Sequence, residues 1–236
     1  MRFYTLAALT MTATTASAQN VTFSFASDNA SERPTFAGTA DDGQMSFFRV
    51  GTDLLVDDAN GPLPTLEYDT LFYNDFTLTT VGSTLLPSGQ YLHTYSIDGS
   101  FSFQGVTVMT VTIEDGVFTA LGGEFSWGST ATIQASSLAG STVTYEWMTD
   151  DQPAYNLFDG AITSDMTDAA FTLTRLLSFP DGGQETPGVA LNPGTGLPTD
   201  NWQSEGSYSG SAFFIPAPSS ALLVTAAGIG LVRRRR

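Results

Sequence analysis

Glu67 and Asp69 stand two apart in the stretch Thr65-Leu-Glu-Tyr-Asp-Thr70, so a strand there projects both carboxyls from one face. Glycoside hydrolysis uses such a pair, with the two acids about 5 to 9.5 Å apart. The set is not completed: Leu71 and Phe72 stand where a third acid would follow, and a chain with 24 acids brings some together by chance. His93, in Gln90-Tyr-Leu-His-Thr-Tyr95, is the only histidine, and the chain has no cysteine and no lysine. Most nucleophilic designs and zinc sites therefore lack their parts. No Gly-x-Ser-x-Gly lies between a strand and a helix. His93 reads as a structural residue, and no catalytic residue or metal site is assigned.

Oxygen ligands cluster in Asp57-Asp58-Ala59-Asn60-Gly61, at Asp150-Asp151 and between Asp165 and Asp168. Calcium takes six to eight oxygens, but no patterned twelve-residue EF-hand loop is present. Solvated turn acids are the simpler reading, and calcium is the one cofactor the composition admits. Three tryptophans could stack on sugar rings. Trp147 shares the face of Val143 and Tyr145 and reads as core. Trp202, in Asp200-Asn-Trp-Gln203 after a long loop, is the candidate for exposed ligand stacking.

The 236 residues suffice for one good core. All eight basic residues are arginine, and five of them sit at the extreme ends, leaving Arg33, Arg49 and Arg175 among the 24 acids. That excludes a nucleic-acid binder, which needs a basic footprint.

The elements that must position these groups are strands. Val21, Phe23 and Phe25 alternate with polar or small residues, as do Phe101 and Phe103, Val143, Tyr145 and Trp147, and Phe171 and Leu173. A period of two with hydroxyls on the second face marks antiparallel sheets with one packed side. The phase slips between Val108 and Met109, where a bulge would restore it. Asp98-Gly99 and Asp115-Gly116 read as tight hairpin turns, and Ser88-Gly89 and Gly122-Gly123 as further turns. Residues 150–168 and 180–201 read as long loops, with one last strand over 206–215 returning to the sheet. The fold class expected is all-β: an antiparallel β-sandwich, jelly-roll-like or Ig-like, followed by a short C-terminal apolar helix.

Both ends carry sorting chemistry. Arg2, the apolar Phe3 to Leu9 and the small-x-small site Ala16-Ser17-Ala18 read as a secretory signal over residues 1–18, so the mature chain begins at Gln19. The domain spans residues 19–215. At the other end Pro216-Ala217-Pro218 precedes an apolar run over 221–232, and Arg233, Arg234, Arg235 and Arg236 close the chain. Twelve helical residues rise about 18 Å against a bilayer core of about 30 Å, so the run enters a membrane and barely crosses it. The arginine block stays on the cytoplasmic side.

Residues 216–236 resemble the PEP-CTERM sorting signal, in which a Pro-Glu-Pro strip, an apolar segment and a basic end are read by an exosortase. Ala217 replaces the family's glutamate. The resemblance implies an exported protein, processed by signal peptidase and by an exosortase-type protease. It would be tethered transiently to the inner membrane and then passed to the cell surface or extracellular matrix. The expected role is non-enzymatic, with extracellular polysaccharide as the contact. The alternative is a carbohydrate-active enzyme or carbohydrate-binding module on a jelly-roll fold.

Overall fold

Alternating apolar and hydroxyl residues give strands along nearly all of the body. The computed structural model describes residues 19–26, 34–40, 43–58, 65–104, 109–147, 160–162, 167–180 and 183–214. The long strands are β1 (Gln19–Ala26), β3 (Gln44–Asp58), β4 (Leu66–Leu85), β5 (Tyr91–Gln104), β6 (Met109–Gly123), β7 (Ser126–Ser136), β8 (Thr142–Trp147), β10 (Asp168–Phe179) and β13 (Asn201–Phe214). Short pieces fill the gaps: β2 (Phe36–Gly38), β9 (Gly160–Ile162), β11 (Thr186–Pro187) and β12 (Val189–Ala190). The sole helical element among the described residues is one 3₁₀ turn, Ser137–Ala139. The expected C-terminal helix over 221–232 lies outside the described residues, and no described helix is long and apolar enough to cross a membrane.

All the strand pairs are antiparallel, and they close on themselves. From β1 the path runs through β3, β4, β5 and β6 to β7, then through β10 and β13 back to β1. β1 and β2 share one slot in this ring: β1 pairs the far half of β13 and β2 pairs its start, at Trp202↔Gly38. Closure removes the unpaired edges along the ring, while β8 and β9 branch from β6 outside it.

Inside the ring the walls touch through aromatic rings. Phe171 of β10 meets Phe101 of β5 edge-on, with ring centroids 4.9 Å apart, and Phe36 of β2 at 5.2 Å. Phe101 also lies 5.0 Å from Tyr208 of β13. β5 lies across the ring from β10 and β13, and β2 and β10 flank β13, so the interior is a packed core. Each edge-to-face pair adds about 0.5–1.5 kcal/mol beyond the area it buries. The Tyr145 and Tyr208 hydroxyls bond each other at 2.8 Å, and Tyr145 also donates to the Asp168 carbonyl.

The two Asp-Gly pairs expected as hairpins are instead mid-strand features that face each other. The β5–β6 register shifts between Ile97 and Gly99, and the Asp115 N–H donates to the Asp98 carboxylate at 2.8 Å. Asp115 has φ 56°, and a Cβ at Gly99 would collide with the β4 backbone at Asp75. Here a positive-φ Asp-Gly serves a bulge that bends two long strands. On the far side of this bend β6 leaves β8, which it pairs over Met109–Glu114, and takes up β7 from Val117. The expected turn at Ser88-Gly89 joins β4 to β5, with the Gly89 N–H donating to Leu86 O, whereas Gly122-Gly123 end β6 and the turn itself is Glu124-Phe125, across which Gly123 pairs Ser126. The bulge expected at Val108 lies outside the described residues.

The 180–201 loop returns the chain to the ring as expected, although the last strand begins at Asn201, ahead of Gly206. The loop is not loose. Val189 and Leu191 are buried, and β12 adds to the edge of β7. Thr80 Oγ1 donates to Thr195 O at 2.8 Å and the Tyr95 hydroxyl to Gly196 O at 2.6 Å, which pin its tip over β4 and β5.

Candidate functional site

The outer faces of β3 and β4 carry acids in register. Asp53 stands directly opposite Asp69, and Leu55 opposite Glu67, with all four side chains exposed. Glu67 and Asp69 do share a face, as their spacing requires, and that face is the open outside of the ring. Asp75, Asp98, Glu114, Asp115, Glu146 and Asp168 are exposed as well. Among the described residues no three His, Asp or Glu side chains converge where they could hold a metal ion. Asp57 is engaged by a neighbour: its carboxylate accepts the Thr65 hydroxyl at 3.0 Å. The remaining oxygen clusters, at Asp150-Asp151 and Asp165, lie outside the described residues.

Trp202 does not serve as an exposed stacking platform. It is 2 % exposed and stands edge-on to Trp127, which is also buried, with centroids 5.4 Å apart. The reason is register. Trp202 is already inside β13, on the same inward face as Ser204, Gly206 and Tyr208. The indole fills the space left by the missing side chain of Gly38.

His93 is buried, 1 % exposed, and both ring nitrogens are engaged. Nε2 lies 2.8 Å from the Gly123 carbonyl and Nδ1 lies 2.7 Å from Ser83 Oγ. A carbonyl only accepts, so Nε2 carries the proton, and Nδ1 accepts the Ser83 hydroxyl. The histidine thus ties the β4–β5 hairpin to the β6–β7 turn, which fits its structural reading. Ser83 was not singled out from the sequence. The Ser88-Gly89 turn contains the signal, because folding the chain back there sets Ser83 opposite His93.

Two depressions flank the 180–201 loop. One, of about 200 Å³, lies beside Ser83 and His93 and is lined also by Tyr91, Phe125, Leu191 and Asn192. The other, of about 280 Å³, holds Arg175, Glu185, Gln203 and Glu205. Arg175 sits at φ 51°, where the β10–β13 register shifts, and pairs with Glu205 at 2.5 Å. With its side chain 63 % exposed, this ion pair is worth about 0–1 kcal/mol.

Of the sorting residues, Gln19 opens β1 and pairs with Phe214 at the end of β13. Ala16, Ala18, Pro216, Ala217, Pro218 and Arg233 to Arg236 lie outside the described residues. No protein-family model, curated protein or solved structure matches the chain.

Proposed function

We propose that this chain is an exported surface or extracellular-matrix protein, released from its signal by signal peptidase and handed to an exosortase-type protease at its C-terminus. The order of features over 216–236 carries the reading: the Pro216-Ala217-Pro218 strip, the apolar run over 221–232, then Arg233 to Arg236. That run would serve as a transient tether in the inner membrane. The pairing of Gln19 with Phe214 supports it, since both proposed cuts fall just outside one strand pair. Trimming at those points leaves every strand of the ring in place.

The body's contribution is an acid-coated surface on a closed antiparallel ring whose facing walls pack through aromatic side chains. Weak contacts with extracellular polysaccharide, bridged by calcium between exposed carboxylates, suit such a surface through avidity. The carbohydrate-active alternative loses support, because Trp202 is in the core and Glu67 and Asp69 stand on an open strand face. Intact mass of the exported protein tests the sorting reading. The expected form lacks residues 1–18 and most residues after Pro218. Recovery of Arg233 to Arg236 on the extracellular form would refute it.

A further inference from the structure

The Ser83–His93 pair has more than a structural geometry. Ser83 is exposed at the mouth of the 200 Å³ cleft, while its partner ring is buried. A nucleophilic serine needs a base within hydrogen-bond reach and a third group that fixes the base. Here the base is Nδ1 at 2.7 Å, and the fixing group is the Gly123 carbonyl, which holds the Nε2 proton at 2.8 Å. The tautomer that the carbonyl enforces is the one that leaves Nδ1 free to take a proton. The ring is further held by Tyr91, stacked at 6.4 Å with an interplanar angle of 25°. The β4–β5 register shifts between Thr80 and Gly82, just before the serine. Such a bulge re-aims the side chains that follow it.

The rest of the cleft supplies a place for a substrate. Phe125, Leu191 and Tyr91 give it apolar walls, and its small volume admits a short acyl group. Asn192 spends its carboxamide oxygen on the Gly194 N–H at 2.8 Å, and among the described residues its Nδ2 has no partner, leaving an N–H donor at the cleft. Glu124 stands exposed at the rim and repels anionic substrates.

We propose that Ser83 and His93 form a nucleophile–base pair that cleaves neutral short-chain esters, acetyl esters above all. Ser83 Oγ attacks the ester carbonyl carbon as its proton passes to Nδ1. The tetrahedral oxyanion draws on the Asn192 amide. Collapse breaks the ester C–O bond, and the leaving alkoxide takes the proton from Nδ1, which gives the free alcohol and an acyl-serine. Water then attacks the acyl-serine with Nδ1 as base, releasing the carboxylic acid and restoring the Ser83 hydroxyl. The proposal goes beyond the surface role and adds one chemical activity to it.

The test uses the purified protein with a fluorophosphonate probe, peptide mass mapping, and initial rates on p-nitrophenyl acetate and p-nitrophenyl octanoate. The expected result is phosphonylation at Ser83 and a marked preference for acetate. Acetate hydrolysis should fall by about 100-fold or more in Ser83→Ala, which removes the nucleophile and leaves Nδ1 with no hydroxyl to activate. Ser83 is exposed, so this variant keeps its fold, and an unchanged circular dichroism spectrum verifies that. Folded protein that takes no label at Ser83 would overturn the proposal, as would an acetate rate unchanged in Ser83→Ala. Octanoate turned over as fast as acetate would overturn the short-acyl assignment.

Discussion

Trp127 and Trp202 cross edge to face at 5.4 Å in the closed interior, and Trp127 donates its indole N–H to the Tyr95 hydroxyl at 3.0 Å. Tyr95 passes the chain on to Gly196 O at the tip of the 180–201 loop. Trp202→Ala should therefore cost about 3–5 kcal/mol, as large aromatic truncations in cores do. Chemical denaturation measures it. The same burial predicts that polysaccharide leaves Trp202 fluorescence unchanged; a binding-induced shift lost only in Trp202→Phe would restore the stacking role.

Gly38 and Gly99 are places where a side chain has no room. A Cβ at Gly38 runs into the Trp202 indole, and one at Gly99 into the β4 backbone, where Gly99 also has φ 143°. Gly38→Ala and Gly99→Ala should each destabilise by roughly 1–3 kcal/mol, the range for overpacking. Gly140→Ala, with open space around its positive-φ position, should cost less than Gly99→Ala because only backbone strain remains. Thermal melts of the three variants give the order.

The buried tyrosines make the fold sensitive to alkali. Burial lifts Tyr95 from 10.0 to about 12, with the hydrogen bond from Trp127 pulling part of the way back. Burial raises Tyr145 and Tyr208 as well. A folded-state value above the unfolded one means that the stability is fully present below pH 10 and is lost as pH rises from there through about 12. Denaturation midpoints should hold from pH 8 to pH 10 and then fall, and Tyr95→Phe should flatten part of that fall.

Asp53 and Asp69 face each other directly across the β3–β4 pair, both exposed. Like charges in that position destabilise by a few tenths to about 1 kcal/mol. Asp69→Asn should raise the melting temperature at low salt. The gain should fade near 1 M salt, where screening acts within about 3 Å. A gain independent of salt would assign the effect to something other than charge.

The strands were legible because period-two alternation reports which side of a sheet is packed, and β1, β5, β8 and β10 all contain the expected residues. The Asp-Gly pairs at Asp98 and Asp115 were misread for a local reason. The same two residues suit a hairpin and a bulge, and the choice was made by the β4 backbone lying against Gly99. Trp202 was misplaced by the loop before it. Counting back in twos from Tyr208 puts it inward, but nothing in Asp200-Asn201 announces that β13 has begun. Ring closure was out of reach, since the β7–β10 and β1–β13 pairings join residues far apart in the chain. For the candidate site, His93 was visible as a lone residue, whereas Ser83 became meaningful only with the register of the Ser88-Gly89 hairpin.

The strand that closes the ring is the last one in the body. β13 lies between β1 and β10 and also carries β2, so three strands wait on residues 201–214 to complete their pairing. β1, the first strand, pairs β3 early, but its second partner arrives only when nearly the whole body has been delivered, and the loop which that pairing closes is among the costliest the chain can form. Folding dominated by such distant partners takes milliseconds to seconds. A chain threaded across a membrane N-terminus first therefore cannot lock while any of β13 is still inside. Under the proposed export, completion of the fold would mark the moment the last strand clears the membrane, with the segment behind it then within reach of the proposed protease.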